Sequence, residues 1–216
     1  IGTVTYAGHE AWPTSASVAG GFFTAESRPD PVVAHAENTN EVFVWGSSTR
    51  QVFAPDGTLV YAPVASREGG CSAPYSIIQV DESFAWLDDK RRFQLSDGRS
   101  TEPIGGDGIK RDLDEMTTVS DCFGYRVLMD TVDALVWTFP TDGRTFVYQQ
   151  GVGWGQWQSR ISGSWAQFSV TAHLLQPGTG KNIVGTDIGR IGTLSFGSIQ
   201  DIGAAGGDAT SAHVTT

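Results

Sequence analysis

Two short strands joined by a tight turn are encoded in Leu135-Val136-Trp137-Thr138-Phe139-Pro140-Thr141-Asp142-Gly143-Arg144-Thr145-Phe146-Val147-Tyr148. Aromatic and β-branched residues flank an Asp-Gly pair, and glycine lets the chain reverse because it adopts a positive φ without steric cost. The pattern predicts a β-hairpin. A third strand is expected through residues 153–160, with Trp154 and Trp157 on opposite faces because side chains alternate along a strand. A meander of this kind is typical of a propeller blade.

Similar patterns recur along the chain at a regular spacing. The turn aspartates are separated by 41, 45 and 45 residues: Asp56, Asp97, Asp142 and Asp187. Trp45 and Trp86 each precede their turn aspartate by 11 residues, whereas Trp137 precedes its own by 5. A period of about 40 to 50 residues is expected of propeller blades. The sequence therefore predicts an all-β, β-propeller-like fold with about four blades of short antiparallel strands. The competing explanation is chance, because Asp-Gly is a common hairpin turn.

Strand candidates and turns suggest how the chain is divided. Four short strands fit between Val32 and Ser66, and the only helix candidate covers residues 109–116, with apolar residues at 109, 113 and 116. The chain begins with Ile1 rather than Met, which we interpret as a processed chain or a fragment. The expected divisions are an N-terminal strand and linker that could belong to a preceding blade (1–31), a propeller-like domain (32–202) and a tail leading into a further strand (203–216).

The composition excludes several classes of protein. The 216 residues include 27 Gly, 7 Trp and 11 Phe, which favours many short strands over helices. A formal net charge of −10 argues against a protein that grips phosphates, although an acidic surface could line a passage through which nucleic acid slides. No apolar run approaches the roughly 20 residues that span a bilayer, so membrane insertion by this chain is not expected.

Cysteine and histidine residues give no metal-binding pattern. Cys71 and Cys122 lack metal-ligand spacing, and we expect two reduced, buried thiols. A single disulfide is the alternative, because both cysteines precede aromatic strand runs. The histidines are scattered, without a second ligand at metal-binding spacing: His9, His35, His173 and His213. No metal and no other cofactor is predicted.

The sequence gives only weak evidence for catalytic groups. Asp88-Asp89 and Asp112-Asp114-Glu115 could supply the paired carboxylates of a glycosidase, but such pairs ordinarily lie on solvated loops. The glycine-rich residues 151–155 have no following helix to hold a phosphate and read as a β-turn cluster. Lys90-Arg91-Arg92 could touch phosphates, yet the adjacent aspartates favour an exposed turn or a subunit salt bridge. We therefore predict no catalytic residues and no enzymatic activity.

Several stretches resemble the packaged-DNA stabilisation proteins of short-tailed bacteriophages, over about residues 29–202. The most specific are the Cys-x-Ala-Pro-Tyr-Ser and Thr-Phe-Pro-Thr sequences. The stretches that carry the resemblance are Gly70-Cys71-Ser72-Ala73-Pro74-Tyr75-Ser76-Ile77, Phe84-Ala85-Trp86-Leu87, Thr138 to Tyr148 with Trp157 after it, Lys181-Asn182-Ile183-Val184-Gly185, and Gly189-Arg190-Ile191.

The resemblance implies a virion structural protein of the phage tail, a tail hub or nozzle that forms a homo-oligomeric ring below the head-to-tail adaptor. The expected ring is a hexamer, assembled in the host cytoplasm, that retains packaged DNA and guides its ejection. Expected partners are the adaptor protein, tail fibre or spike proteins, a plug protein, and DNA that passes through the channel without sequence-specific binding. The family offers no catalytic residues to transfer. This chain is much shorter than a full family member, and residues 109–115 have no clear counterpart in it.

Two other classes fit the same residues. A carbohydrate-binding or glycan-hydrolysing β-propeller would stack tryptophans on sugar rings and use Asp88, Asp89 or Asp121 as acids. A general β-propeller interaction module would keep the fold without the phage function. The positions of the carboxylates discriminate between them, since two carboxylates facing each other in one cleft would favour hydrolysis and their dispersal would favour a scaffold.

Overall fold

The computed structural model describes residues 30–55, 61–97, 99–129, 132–161 and 164–195. The chain divides into two compact units, one ending at Gly70 and the other beginning at Cys71. The described residues are almost entirely strands and turns, and their single α-helix, α1, covers Asp107–Glu115. Within those ranges, no helix is long and apolar enough to cross a bilayer. The predicted all-β class is confirmed.

The first unit contains one antiparallel sheet, sheet 1. Its strands follow in sequence order: β1 (Val32–Glu37), β2 (Val42–Gly46), β3 (Thr49–Pro55) and β4 (Tyr61–Glu68). The four strands predicted from Val32 onward are therefore present. Asp30 fixes the turn between β2 and β3, because its carboxylate accepts the backbone N–H groups of Ser48 at 2.8 Å and Thr49 at 2.9 Å.

The second unit begins with a 3₁₀ turn at Pro74–Ser76 and continues into sheet 2, another antiparallel meander. Its strands are β5 (Ile78–Val80), β6 (Ser83–Leu87), β7 (Phe93–Ser96) and β8 (Thr101–Pro103). Helix α1 follows β8, which confirms the helix predicted at 109–116, with bounds shifted by one or two residues.

Sheet 3 contains the stretch that opened the sequence analysis. It consists of β9 (Phe123–Met129), β10 (Val132–Phe139), β11 (Arg144–Gln149) and β12 (Gly153–Gln156). The predicted hairpin is β10 and β11, with Phe139 paired to Arg144 across a four-residue turn. Gly143 in that turn has φ +65°. This is the positive φ that the Asp-Gly pair was predicted to supply.

The chain changes sheet at Trp157. The single strand expected over 153–160 is two strands, because β12 pairs with β11 whereas β13 (Gln158–Ile161) pairs with β14 (Ser164–Gln167). We call the two-stranded sheet β13–β14 the arm. Sheet 4 follows, and contains β15 (Val170–Leu175), β16 (Asn182–Thr186) and β17 (Ile191–Leu194). Trp154 and Trp157 do point into different cores, as strand alternation predicted.

Tryptophans, rather than aspartates, mark the structural repeat. Trp45, Trp86 and Trp137 all lie on the second strand of their sheets and are fully buried. The aspartate register is wrong, since Asp97 lies between the third and fourth strands of sheet 2 whereas Asp142 lies between the second and third strands of sheet 3. Asp-Gly favours any hairpin, so it does not identify which hairpin of a meander it closes.

Sheet 3 is covered on both faces. Alternation along β10 sends Leu135, Trp137 and Phe139 into a core shared with sheet 2 and α1. Ala134 and Val136 point the other way, into a core shared with sheet 4 and the base of the arm. Four-stranded meanders that pack face to face in this way are the blades of a β-propeller.

The predicted limits of the propeller-like domain, 32 and 202, remain predictions. Residue 202 and the predicted tail lie outside the described residues, as do Asp56 and the N-terminal strand candidate.

Candidate assembly surfaces

The Cys-x-Ala-Pro-Tyr-Ser sequence forms a joint between sheets 2 and 3. Cys71 and Ser76 are buried and both donate to the carbonyl oxygen of Ala73, from Sγ at 3.0 Å and Oγ at 2.8 Å. The Ser76 hydroxyl also accepts the backbone N–H of Leu87 at 3.2 Å. The indole N–H of Trp137 donates to the Ser76 carbonyl oxygen at 2.8 Å. The motif therefore holds the start of sheet 2 against the central strand of sheet 3.

One side chain of the same motif points outward. Tyr75 is 76% exposed although Cys71, Ala73 and Ser76 around it are buried. A large aromatic ring on a hydrogen-bonded loop is available for contact at low entropic cost. Tyr75 is thus a candidate contact residue.

The Thr-Phe-Pro-Thr sequence runs into a turn that is clamped at both sides. Asp142 accepts the N–H groups of Thr117 at 3.0 Å and Thr118 at 3.1 Å, and these hydrogen bonds lower the pKa of its carboxyl group. In the opposite direction, Thr141 donates its N–H to Asp121 at 2.8 Å. These reciprocal bonds attach the segment after α1 to the β10–β11 turn.

Asp88, the first carboxylate considered as a possible acid, is fully buried, and its hydrogen bonds hold its own loop together. Its carboxylate accepts the backbone N–H groups of Lys90 at 2.9 Å and Arg92 at 2.8 Å. It also accepts the Arg92 guanidinium at 2.8 and 3.0 Å and the Gln94 amide at 2.7 Å. These five hydrogen bonds occupy the lone pairs of both carboxylate oxygens and close the loop between β6 and β7.

The other candidate carboxylates bind separate parts of the chain. Asp112 lies 3.8 Å from Arg144, and Asp114 forms an ion pair with Lys110 one turn earlier on α1. Asp121 binds the Thr141 N–H, as described above. Asp89 is half-buried beside Asp88, and Glu115 is exposed at the end of α1. These groups lie in three places, the β6–β7 loop, α1 and the segment after α1, and the bonded ones contact separate parts of the chain, which is the arrangement expected of a scaffold.

In the basic triplet Lys90-Arg91-Arg92, both arginines bind residues of the second unit. Arg91 donates to the carbonyl oxygens of Leu113 and Met116, both at 3.0 Å, and so caps the C-terminal end of α1. Arg92 forms the ion pair with Asp88, and Lys90 is exposed. The exposed-turn interpretation fits these contacts better than a phosphate site.

Both cysteines are buried and neither forms a disulfide, so the reduced form expected from the sequence is present. Burial raises the pKa of the Cys71 thiol and raises that of Cys122 well above its usual value. Unreactive thiols of this kind act as small apolar core residues.

The histidines are not grouped. His35 is exposed on β1 and His173 is half-buried on β15, whereas His9 and His213 lie outside the described residues. Among the residues that the structure describes, no three His, Cys, Asp or Glu side chains come together as a metal site.

Exposed carboxylates collect at one end of sheets 2 and 3. Asp81, which is 82% exposed, and Asp133 both bind Arg126, with N–O distances of 3.0 and 2.6 Å. The hydrogen bond to Asp133 raises the pKa of the Arg126 guanidinium, which stays charged. Sequence reasoning missed this network because Asp81 and Arg126 are 45 residues apart and form no local motif. Glu82 and Asp97 are exposed on the turns of sheet 2 at this end.

Stacked antiparallel meanders with dispersed, structurally engaged carboxylates define a β-propeller scaffold. The family model described as Bacteriophage P22 Gp10, beta-propeller, matches residues 14–197, and the chain belongs to this phage stabilisation family. The resemblance noted in the sequence is thereby confirmed. The protein is accordingly a virion-associated structural protein of the type that stabilises packaged phage DNA.

A search of curated proteins gave no match. Among solved structures, the computationally designed Ika4 protein is similar with a TM-score of 0.42 and 10% sequence identity, over 79% of this chain and 94% of that chain.

Proposed function

We propose that the protein is part of the tail hub, or nozzle, of a short-tailed phage. In this function it forms a homo-oligomeric ring, expected to be a hexamer, below the head-to-tail adaptor. The ring retains packaged DNA and guides its ejection. Membership of the phage stabilisation family is the observation that carries the proposal.

The packing of the second unit supports a role in which the subunits resist pressure. Sheet 3 is buried on both faces, and its central strand is hydrogen-bonded to the Ser76 carbonyl oxygen at the start of sheet 2. Close-packed protein interiors have low compressibility. A ring that holds DNA under internal pressure requires such subunits.

The charge of the chain supports passage of DNA without binding. The net charge is −10, and exposed Asp81, Glu82, Asp97 and Asp133 lie on turns of sheets 2 and 3. Fixed negative charge repels phosphates and removes the counterion release that drives binding to DNA. A ring whose channel wall is acidic would therefore let DNA pass without binding it.

We infer that the protein is not an enzyme. Asp88 is saturated by five hydrogen bonds to its own loop, and the other candidate carboxylates bind different segments. Among the described residues, these contacts give the candidate carboxylates structural roles, whereas a glycan-hydrolysing propeller requires two carboxylates that flank the bond to be cleaved. The proposed partners are those of a tail hub: the adaptor, tail fibre or spike proteins, and a plug.

The deciding experiment measures the mass of the full-length protein alone and after mixing with its candidate adaptor ring, by native mass spectrometry. We expect a defined ring on mixing. A matched control replaces the adaptor with an unrelated ring protein of similar size and charge. Full-length protein that stays monomeric with the adaptor would contradict the proposed function.

A further inference from the structure

Sheets 2 and 3 are joined in different ways at their two ends. At the end that contains the Cys-x-Ala-Pro-Tyr-Ser sequence, the Trp137 indole donates to the Ser76 carbonyl oxygen at 2.8 Å. Gly124 lies so close to sheet 2 there that an added Cβ would be 2.7 Å from Ile78 Cγ1. Trp137, Ser76 and Ile78 are all buried. This end of the joint is therefore dry, hydrogen-bonded and close-packed.

Burial decreases along the central strand of sheet 3 towards the other end. On the face that packs against sheet 2, Phe139 and Trp137 are fully buried and Leu135 is 6% exposed. Asp133 is the next residue on the same face, and its side chain is 50% exposed. An extended strand spans about 20 Å from Phe139 to Asp133. Over that length the joint changes from a dry core to a contact that solvent reaches.

Ion pairs make the contact at the exposed end. Arg126 on β9 donates from Nε and Nη2 to the two carboxylate oxygens of Asp133, at 2.8 and 2.6 Å, so this pair within sheet 3 is bidentate. The Nη1 atom of Arg126 donates to Asp81 of sheet 2 at 3.0 Å. Asp133 thus holds the guanidinium in place, and the bond to Asp81 is the one that crosses between the sheets.

Asp81 is held in an unfavourable backbone conformation. It lies in the two-residue turn between Val80 and Ser83, which are paired across the β5–β6 hairpin. Its φ is +54°, in the left-handed region that residues with a side chain seldom occupy. Its side chain is 82% exposed, so water competes for the carboxylate. A strained residue in an exposed ion pair makes a weak attachment between the sheets.

We propose that Arg126 and Asp81 form an ionic latch, and that sheets 2 and 3 open at this end when salt screens the latch or a substitution removes it. The Ser76–Trp137 end stays closed and acts as the hinge. Exposed ion pairs are weak and are screened by dissolved ions, whereas a buried hydrogen bond is protected from both water and salt. This inference goes beyond the proposed function and does not depend on it.

The opening is confined to the edge where β5 lies beside β9. At the opposite edge, the indole N–H of Trp154 on β12 donates to the Ile104 carbonyl oxygen at 2.7 Å, and the Trp154 ring stacks on Phe93 at 4.9 Å. These contacts join sheets 2 and 3 without an ion pair, so salt leaves them in place. The hydrogen bonds within each sheet also remain, because only the contact between the sheets is released.

The test measures how fast thiols react in the full-length protein. Leu135→Cys places a thiol on the residue that is paired with Arg126 across β9 and β10. The native Cys71 and Cys122 are internal controls, because both are buried, one in the motif that starts sheet 2 and the other directly before β9. Labelling with uncharged iodoacetamide at about 50 mM and about 500 mM NaCl is followed by peptide mass spectrometry.

We expect the higher salt concentration to speed labelling at position 135 about two- to fivefold, the range for loss of one exposed ion pair. Arg126→Gln should have the same effect at low salt and should abolish the response to salt. Arg99→Gln is the matched control, because Arg99 is exposed on the β7–β8 turn and its substitution removes the same charge without altering the latch. Cys71 and Cys122 should keep their own rates throughout.

A second variant tests whether the bond to Asp81 is the one that matters. Asp81→Asn removes the charge from the sheet 2 side, so it should speed labelling at position 135 as much as Arg126→Gln does. Combining the two substitutions should add little, because both break the same bond. Fully additive effects would show that Arg126 acts only through Asp133 within sheet 3, and the latch would be rejected.

Two further outcomes would overturn the proposal. If labelling at position 135 responds neither to salt nor to Arg126→Gln, no latch operates at this end. If position 135, Cys71 and Cys122 all label faster by the same factor, the whole unit unfolds instead of opening at one edge. Thermal melting verifies that each variant is folded. Val80→Cys is the alternative reporter on sheet 2, because Val80 is half-buried against the same core.

Discussion

The indole N–H of Trp137 donates a 2.8 Å hydrogen bond to the carbonyl oxygen of Ser76, 61 residues earlier in the chain. Both residues are fully buried, so the bond satisfies two polar groups that water does not reach. It joins the central strand of sheet 3 to the motif that begins sheet 2. The Cys-x-Ala-Pro-Tyr-Ser sequence is thus bonded to the residue that directly precedes the Thr-Phe-Pro-Thr sequence.

Replacing Trp137 by Phe should destabilise the protein by about 1–3 kcal/mol, because the buried Ser76 carbonyl oxygen loses its indole partner. The measurement is chemical denaturation of purified protein. Trp154→Phe is the matched control, since its indole donates to Ile104 at 2.7 Å from a partly buried position and should cost less. A Trp137→Phe variant as stable as the native protein would show that the bond does not hold the sheets together.

Gly124 allows the close approach of sheets 2 and 3. A Cβ atom there would lie 2.7 Å from Ile78 Cγ1 and 2.9 Å from Trp137 Cδ1. Gly124→Ala should therefore cost about 1–3 kcal/mol through overpacking. Gly108→Ala on α1 is the control, because nothing lies within 4 Å of its added Cβ and alanine favours helix by about 0.5–1 kcal/mol. Equal melting temperatures for the two variants would contradict this account.

Local sequence patterns predicted the parts of the fold that depend on local chemistry. The β10–β11 hairpin and helix α1 were found because strand propensity, turn residues and apolar periodicity act within about ten residues. The change of sheet at Trp157 was missed because residues 153–160 fit one continuous strand, and only the pairing of β12 with β11 and of β13 with β14 shows it.

The roles of the candidate site residues were less predictable, because they too depend on contacts between residues that are distant in the sequence. The sequence placed Asp88 and Asp89 side by side as possible acids, but it could not show that the carboxylate of Asp88 turns inward to Gln94. Likewise, the Asp81–Arg126 pair joins residues far apart in the chain. Contacts between sheets decide these roles, and a single sequence does not encode them locally.

Asp88 should behave as a structural residue. Asp88→Asn should cost roughly 1.5–3 kcal/mol, because an amide cannot accept the full set of hydrogen bonds that Arg92 and Gln94 donate to the buried carboxylate. Asp89→Asn should cost less, because Asp89 is only half-buried. Denaturation measures the stability of both variants, and hydrolysis of a glycan panel is measured with the native protein. Glycan hydrolysis that disappeared in a stably folded Asp88→Asn variant would reverse this assignment.

His173 should make stability fall in mildly acidic solution. It stacks on Tyr125 at 4.8 Å and bonds to the Asn182 side chain at 2.9 Å, between sheets 3 and 4. Burial lowers the pKa of His173, so the folded state favours the neutral ring. Its unfolded pKa is about 6.5, so the stabilisation of the neutral form is complete above that pH. It is lost as pH falls from there towards the lower folded pKa.

The carboxylates titrate in a separate range. Backbone hydrogen bonds from Ser100 and Arg99 lower the pKa of Asp97, as those from Thr117 and Thr118 do for Asp142. Their contribution is present above about pH 4 and is lost only as pH falls further. A decline between about pH 7 and 5 is therefore attributed to histidine.

Melting temperatures of the native protein and of His173→Gln, measured from pH 7.5 to 5, test this assignment. Glutamine can still donate to Asn182 but does not titrate, so its melting temperature should change less over this range. His35→Gln, at an exposed position on β1, is the matched control and should keep the native pH dependence. If His173→Gln and the native protein lose equal stability on acidification, a group other than His173 controls the pH response.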